Sequence, residues 1–259
     1  MDYNVASVDE ALGLLMVVAQ NPGLGVTDLS KRSAITKARA FRLLSTLEKR
    51  GFIQRTGDAA TYQLGFNALL VGLAADEQVS LVRQASKYLQ QLAGLFNEIV
   101  QIRVRDGFES VSVARWDSTH DVRIHGSVGM RRPLHGGASG KVLLAYAPEE
   151  FLQEFFQRDF QRFTANTILT KTKWNEELKR IRARGYATSI GEIASDVLSI
   201  AAPVRDGSTK VIAAMGISIP SSRMTAKGLE KLVKPLCVAA ESLSIELGYR
   251  PGAVSAEHQ

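Results

Sequence analysis

Thr36-Lys37-Ala38-Arg39-Ala40-Phe41-Arg42-Leu43-Leu44-Ser45-Thr46-Leu47-Glu48-Lys49-Arg50-Gly51 is the stretch on which the fold turns. Phe41, Leu43, Leu44 and Leu47 recur at helical spacing and define one apolar face. Lys37, Arg39 and Arg42 lie off that face in the first two turns. Thr36 supplies the hydroxyl an N-cap needs, and Gly51 stands where a helix stops. A helix that buries one side and offers cations near its N-terminus suits the DNA major groove. Taken by itself, the same composition also describes an ordinary solvated surface helix.

The surroundings favour the first reading. Between Lys31 and Arg55 the cations are Lys31, Arg32, Lys37, Arg39, Arg42, Lys49, Arg50 and Arg55, against Glu48 alone. That local excess is larger than the net +6 of the whole chain, so the remainder is close to neutral. Upstream, residues 7–20 read as a helix opened by a capping box, Ser7 with Glu10. Its apolar stripe is Val8, Leu12, Leu15, Met16 and Ala19. Thr27 is placed to cap a short second helix whose Leu29 points inward, and Ala34-Ile35 makes the turn. Short helix, tight turn and basic helix form a helix-turn-helix. Downstream, residues 52–55 and 61–64 read as strands joined by a polar turn that contains Gly57-Asp58, which makes the hairpin of a winged helix. On that reading Arg55 and Tyr62 reach phosphate or the minor groove.

The 259 residues are enough for two domains, and the 45% hydrophobic and 22% charged fractions are globular values. Cys237 is the only cysteine, which excludes an intrachain disulfide and points to a reducing compartment. There is no basic n-region ahead of an apolar run and no apolar stretch of membrane-spanning length. A cytoplasmic protein is expected, associated with the nucleoid when bound to DNA. Residues 66–96 read as apolar connector helices, broken near Asp76-Glu77-Gln78. Such helices need a covering surface, and self-association supplies one because two half-sites require two recognition helices.

From residue 97 onward the pattern changes to hairpins interrupted by helices. Strands are expected at 99–104, 108–116, 122–127, 186–190, 198–205 and 210–219, with Asp106-Gly107 and Asp206-Gly207 as turns. Helices are expected at 141–147, 148–157, 174–184 and from a Thr225 cap onward, with Pro235 kinking the last. This is an α/β mixed (α+β) chain with a largely antiparallel second sheet. The expected organisation is a DNA-binding domain at 1–65, linker and dimerisation helices at 66–96, a second domain at 97–250 and a frayed tail at 251–259.

In order and spacing these pieces resemble the IclR family of bacterial transcriptional regulators. The resemblance rests on Ser7-Val8-Asp9-Glu10-Ala11-Leu12, on residues 42–52, on Tyr62-Gln63-Leu64-Gly65, on Pro133-Leu134-His135 with Ser139-Gly140-Lys141, on residues 181–187 and on residues 200–206. It implies an N-terminal winged helix-turn-helix and a C-terminal effector-binding domain of GAF-like topology. It also implies a homodimer or homotetramer on double-stranded operator DNA and a small organic effector, a carboxylate or aromatic catabolite. The implied DNA-binding set is Thr27, Thr36, Lys37, Ala38, Arg39, Arg42, Arg55 and Tyr62. The implied effector-binding set is Ile124, Ala138, Ser139, Gly140, Ser189, Ser199, Gly216 and Ser218. Ala138 and Ser139 would offer backbone N–H groups to an effector carboxylate at a helix N-terminus. Ala38-Arg39 replaces the family's common Ser-Thr pair, so the operator preference is this chain's own.

Competing chemistry finds little support. Residues 136–141 are glycine-rich, but His135 and Val142 break the phosphate-loop pattern, and Ser139 is in no Gly-x-Ser-x-Gly elbow. His120, His125 and His135 match no zinc spacing, so no metal and no cofactor is expected. Strand alternation would put Arg123 and His125 on one face, toward the pocket or toward solvent. The alternative function is an enzyme acting on a small organic acid with an accessory DNA-binding module. It needs a nucleophile, a base and an orienting group, and no such set assembles from the sequence. A protein-interaction role for the winged helix is the remaining reading, and it predicts that Arg39→Ala leaves function intact.

Overall fold

A computed structural model of the chain describes residues 4–57, 60–78 and 80–251. The backbone divides into two compact units, Met1–Val79 and Ser80–Gln259. The division falls inside the 66–96 segment read as a connector. Asp58 and Ala59 of the wing turn and the tail beyond 251 lie outside the described residues.

The first unit runs α1 (Ala6–Gln20), β1 (Leu24–Gly25), α2 (Val26–Arg32), α3 (Lys37–Lys49), β2 (Ile53–Thr56), β3 (Thr61–Leu64) and α4 (Phe66–Gln78). Thr36 caps α3 as expected, its Oγ1 accepting from Arg39 N at 3.3 Å. The chain leaves α3 through Gly51, whose φ of +69° is costly for any residue with a Cβ. Gly65 then passes so close that a Cβ would lie 2.4 Å from the Gly51 oxygen. Asn67 ties the start of α4 to this corner, donating from Nδ2 to Arg50 O at 2.7 Å. The strands pair in the order β1-β3-β2, with Arg55 opposite Tyr62. The core is Leu14, Val18, Leu29, Ala40, Leu44, Leu47, Ile53 and Tyr62.

Four local expectations fail here. Helix α1 starts at Ala6 and its cap position is Val5, with no side-chain bond, so Ser7 already lies in the first turn and forms no capping box. Likewise α2 starts at Val26 behind Gly25, so Thr27 lies within its first turn and does not cap it. In both cases the residue before the predicted cap already carries helical backbone. The apolar face of α1 is also different. The core takes Leu14 and Val18, while Val8, Leu12 and Met16 stay exposed. On α3 it takes Ala40 and leaves Phe41 50% exposed, since the small alanine faces the packed side.

The second unit runs α5 (Ser80–Phe96), β4 (Ile99–Asp106), β5 (Glu109–Trp116), β6 (Arg131–Pro133), α6 (Gly137–Ala145), α7 (Glu149–Phe155), α8 (Lys171–Arg184), β7 (Ala187–Ile190), β8 (Val197–Arg205), β9 (Val211–Pro220) and α9 (Glu230–Glu246). Its sheet is antiparallel throughout in the order β6-β5-β4-β9-β8-β7. Alternation divides the neighbouring strands β8 and β9 between two cores. Ile102, Ile200 and Ile217 pack with Leu89 and Leu92 of α5 and Leu236 and Leu243 of α9. Ala201 and Ala214 face the other way, toward Val142 of α6 and Trp174, Leu178 and Ile181 of α8.

The strand expected at 122–127 does not form. That segment is irregular, and Ile124 O accepts from Arg115 Nη2 at 3.0 Å in place of a strand neighbour. The third strand is β6, paired with β5 through Glu109 and Pro133. Thr225 does act as a cap, though of a 3-10 turn, Ala226–Leu229, that leads into α9.

Candidate functional site

The basic surface of the first unit is built on the N-terminal half of α3. Thr36, Lys37, Ala38 and Arg42 are exposed. No acid pairs with Lys37 or Arg42 among the described residues. Arg39 is held differently: its Nε lies against Glu10 of α1 in an ion pair, with 44% of the arginine side chain still exposed. Thr27 is exposed on α2. On the wing, Arg55 is exposed, pairs with Glu48 at 3.3 Å and stacks over the Tyr62 ring at 5.4 Å. Tyr62 itself is only 2% exposed, which corrects the expectation that it reaches outward. It occupies the buried position of β3 between α1 and β2, and its ring supports Arg55 from below.

In the second unit a cavity of ≈ 320 Å³ opens at the N-terminus of α6. Gly136 precedes the helix with no side-chain cap, and Ala138 N–H donates to Ser199 Oγ at 3.3 Å. Ala138, Ser139, Ser199, Ser218 and Ile124 line the cavity, as do Arg123 and His125. Ser199 and Ser218 are register partners on β8 and β9, which is why two distant serines meet.

Three expected effector positions lie outside the lining. At Gly140 a Cβ would fall 2.1 Å from Leu134 O, so this glycine lets α6 lie against the chain before it. A Cβ on Gly216 would meet Ser139 Oγ at 2.8 Å, so Gly216 makes room beneath Ser139. Ser189 is buried beside Glu192. Glu192 in turn holds Lys141 Nζ at 2.5 Å, with Glu177 at 3.3 Å. Burial pushes the Glu192 carboxyl above the usual range, and Lys141 pulls against that shift.

The three central histidines have separate environments. His120 meets Asn97 Nδ2 at 3.4 Å, and His125 lines the cavity. His135 stacks on Phe163 and meets Phe160 at a tilt, with Nε2 2.9 Å from Gln161 O. Among the described residues no cluster of three His, Cys, Asp or Glu side chains is arranged to hold a metal ion. Nor is any described helix long and apolar enough to cross a membrane.

Sequence reasoning missed the arginines. Arg103, Arg115 and Arg132, on β4, β5 and β6, all line the cavity. The available signal was strand alternation: Gln101 and Arg103 occupy the face opposite Val100 and Ile102.

Comparison with known proteins agrees with this arrangement. A family model described as the IclR helix-turn-helix domain matches residues 7–57, and one described as the bacterial transcriptional regulator IclR C-terminal domain matches residues 74–245. The HTH-type transcriptional regulator KdgR of Dickeya chrysanthemi is 31% identical over 247 residues, covering 95% of this chain and 81% of that one. KdgR of Escherichia coli (strain K12) is 29% identical, over 95% of this chain and 94% of that one. Among solved structures, an IclR transcriptional regulator from Alicyclobacillus acidocaldarius superposes with a TM-score of 0.87 at 26% identity, over 95% of this chain and 100% of that chain.

Proposed function

The chain belongs to the IclR family of bacterial transcriptional regulators, and from that premise we propose how it recognises DNA and what it senses. It is a DNA-binding transcriptional regulator with a C-terminal effector-binding domain, and not an enzyme. In our reading α3 enters the major groove, Arg39 contacts a base edge, Lys37 a base or phosphate, and Arg42 phosphate. Arg55 adds a wing contact to the backbone. The protein acts as a homodimer or a tetramer of dimers on a two-fold operator.

Two features support self-association. Val8, Leu12 and Met16 of α1 are exposed, and so are Phe66, Leu69, Leu70 and Leu73 of α4. Apolar stripes of this kind mark interaction surfaces. The single observation that carries the effector half is the cavity at the α6 N-terminus, lined by Ala138 and Ser139. Helix N-terminal N–H groups and the helix dipole favour an organic carboxylate there. Differential affinity for that carboxylate between two arrangements of the dimer changes which half-site spacing the recognition helices match.

The test is a thermal-shift screen of organic carboxylates with the full chain, followed by a gel-shift on DNA flanking its gene with and without any acid that raises the melting temperature. The expected result is sequence-dependent binding that this acid strengthens or weakens. Binding that no stabilising acid alters would count against the effector half.

A further inference from the structure

The cavity is asymmetric in a way that a single carboxylate does not satisfy. One end is the α6 N-terminus. The other is built from three neighbouring strands, each contributing an arginine: Arg103 from β4, Arg115 from β5 and Arg132 from β6. Arg103 is only 4% exposed, and every acceptor around it is neutral. Its Nε donates to Ser110 Oγ at 3.0 Å, Nη2 to Ser110 O at 2.6 Å and to Met130 O at 2.9 Å, and Nη1 to Gln101 Oε1 at 3.4 Å. Arg115 has one acid, Asp117, at 2.6 Å, and that aspartate is 56% exposed. The half-buried Arg132 side chain has neither a hydrogen bond nor an ion pair among the described residues. Gly126 lets the 122–127 segment lie over this cluster, since a Cβ there would meet Arg115 Nη1 at 2.6 Å. Arg123 on that segment adds a further cation, and among the described residues Asp196 is the only acid in the lining.

Like charges held this close oppose one another. Burial first, then the neighbouring Arg132 and Arg115, lower Arg103 to about 10. Burial and Arg115 lower Arg132 as well. An uncompensated buried charge is costly unless something pairs with it. The cavity is open to small molecules, and guanidinium forks match carboxylate and phosphate oxygens.

We propose that the effector is a compact organic dianion, with one carboxylate at Ala138-Ser139 and a second acidic group held by the Arg103–Arg115–Arg132 cluster. This rests on the carboxylate reading of the α6 end given above and adds the second group to it. Arg132 is the residue with donors to spare, so it makes the discriminating contact, while Arg103 fixes the local field. A volume of ≈ 320 Å³ is at the small end of ligand cavities, which restricts the ligand to a few carbons between its acidic groups.

The experiment is calorimetric titration of the full chain with matched probes: succinate, glutarate and adipate against butyrate, valerate and hexanoate, and 3-phosphoglycerate against glycerate. At least one probe with two acidic groups, the dicarboxylates at about −2 or 3-phosphoglycerate at nearly −3 near pH 7, should bind about tenfold or more tightly than its matched monoanion. A gain confined to the dicarboxylates makes the second group a carboxylate, and a gain confined to 3-phosphoglycerate makes it a phosphate. Arg132→Gln should abolish the gain, weakening dianions by about tenfold or more and their matched monoanions far less, and Arg132→Lys should restore part of it. Because Arg132→Gln removes a repelled charge, its melting temperature without ligand should equal or exceed that of the unaltered protein. Monoanions that bind as tightly as dianions would overturn the dianion proposal while sparing the carboxylate reading. A dianion gain that survives Arg132→Gln would overturn the role of the cluster. Absence of binding by every probe would overturn both readings.

Discussion

At the scale of single residues, Arg39 and Glu10 carry the clearest consequence. Their ion pair is partly exposed, and such pairs are worth about 0–1 kcal/mol. Glu10→Ala should therefore change unfolding free energy by less than about 1 kcal/mol in a urea melt. It should also tighten DNA binding at low salt, because it frees a cation and removes an anion from the DNA-facing surface. Unchanged binding would mean that Arg39 is not part of the interface. His135 gives a pH prediction. Burial lowers its pKa below the ordinary 6.5, partly offset by its bond to Gln161 O. The folded chain therefore holds fewer protons than the unfolded chain between the lowered value and 6.5, and stability must fall as pH drops through that window. His135→Phe keeps an aromatic ring against Phe160 and Phe163, and thermal melts across the window should show that part of the slope removed. Neither feature was legible in the sequence, because Glu10 and Arg39 lie on different helices and the contacts of His135 with Phe160 and Phe163 depend on a loop.

At the scale of elements, α3 was read almost whole from its sequence: the Thr36 cap, the buried Leu44 and Leu47 and the Gly51 exit all follow from local chemistry. The wing hairpin was legible for the same reason. Its one error is Tyr62, which is buried, because a four-residue strand does not reveal which of its two faces meets the core. Tyr62→Phe should leave DNA affinity within about twofold, while Tyr62→Ala should cost about 3–5 kcal/mol of stability in denaturant melts. A large affinity loss in the phenylalanine variant would put the hydroxyl on DNA after all. The irregular 122–127 segment was misread as a strand because its alternation is real, yet its backbone oxygen goes to an arginine. Beneath α6, Gly216→Ala should push a methyl group into Ser139 Oγ, only 2.8 Å from the ideal Cβ position. A loss of effector response at near-normal DNA affinity is the expected outcome in the same gel-shift assay.

At the scale of the molecule, two units divide the labour: one presents cations to a polyanion, the other encloses a small cavity. The basic segment was visible in the charge, since the local excess between Lys31 and Arg55 leaves a nearly neutral remainder. The α6 end of the cavity was expected only through the family resemblance, which assigned Ala138 and Ser139 to an effector carboxylate. The arginine end was not, because Arg103, Arg115 and Arg132 meet only through strand pairing over many residues. The proposal stands or falls on whether α3 reads the sequence of DNA through Arg39. Fluorescence anisotropy of the full chain on DNA flanking its own gene, and on a scrambled duplex, tests it directly. The unaltered protein should prefer the native duplex, and Arg39→Ala should weaken that binding by about 1–3 kcal/mol, roughly 5- to 150-fold. Affinity for scrambled DNA should change far less. Equal affinity of the two proteins for the native duplex, or no preference for it over the scrambled one, would contradict the account.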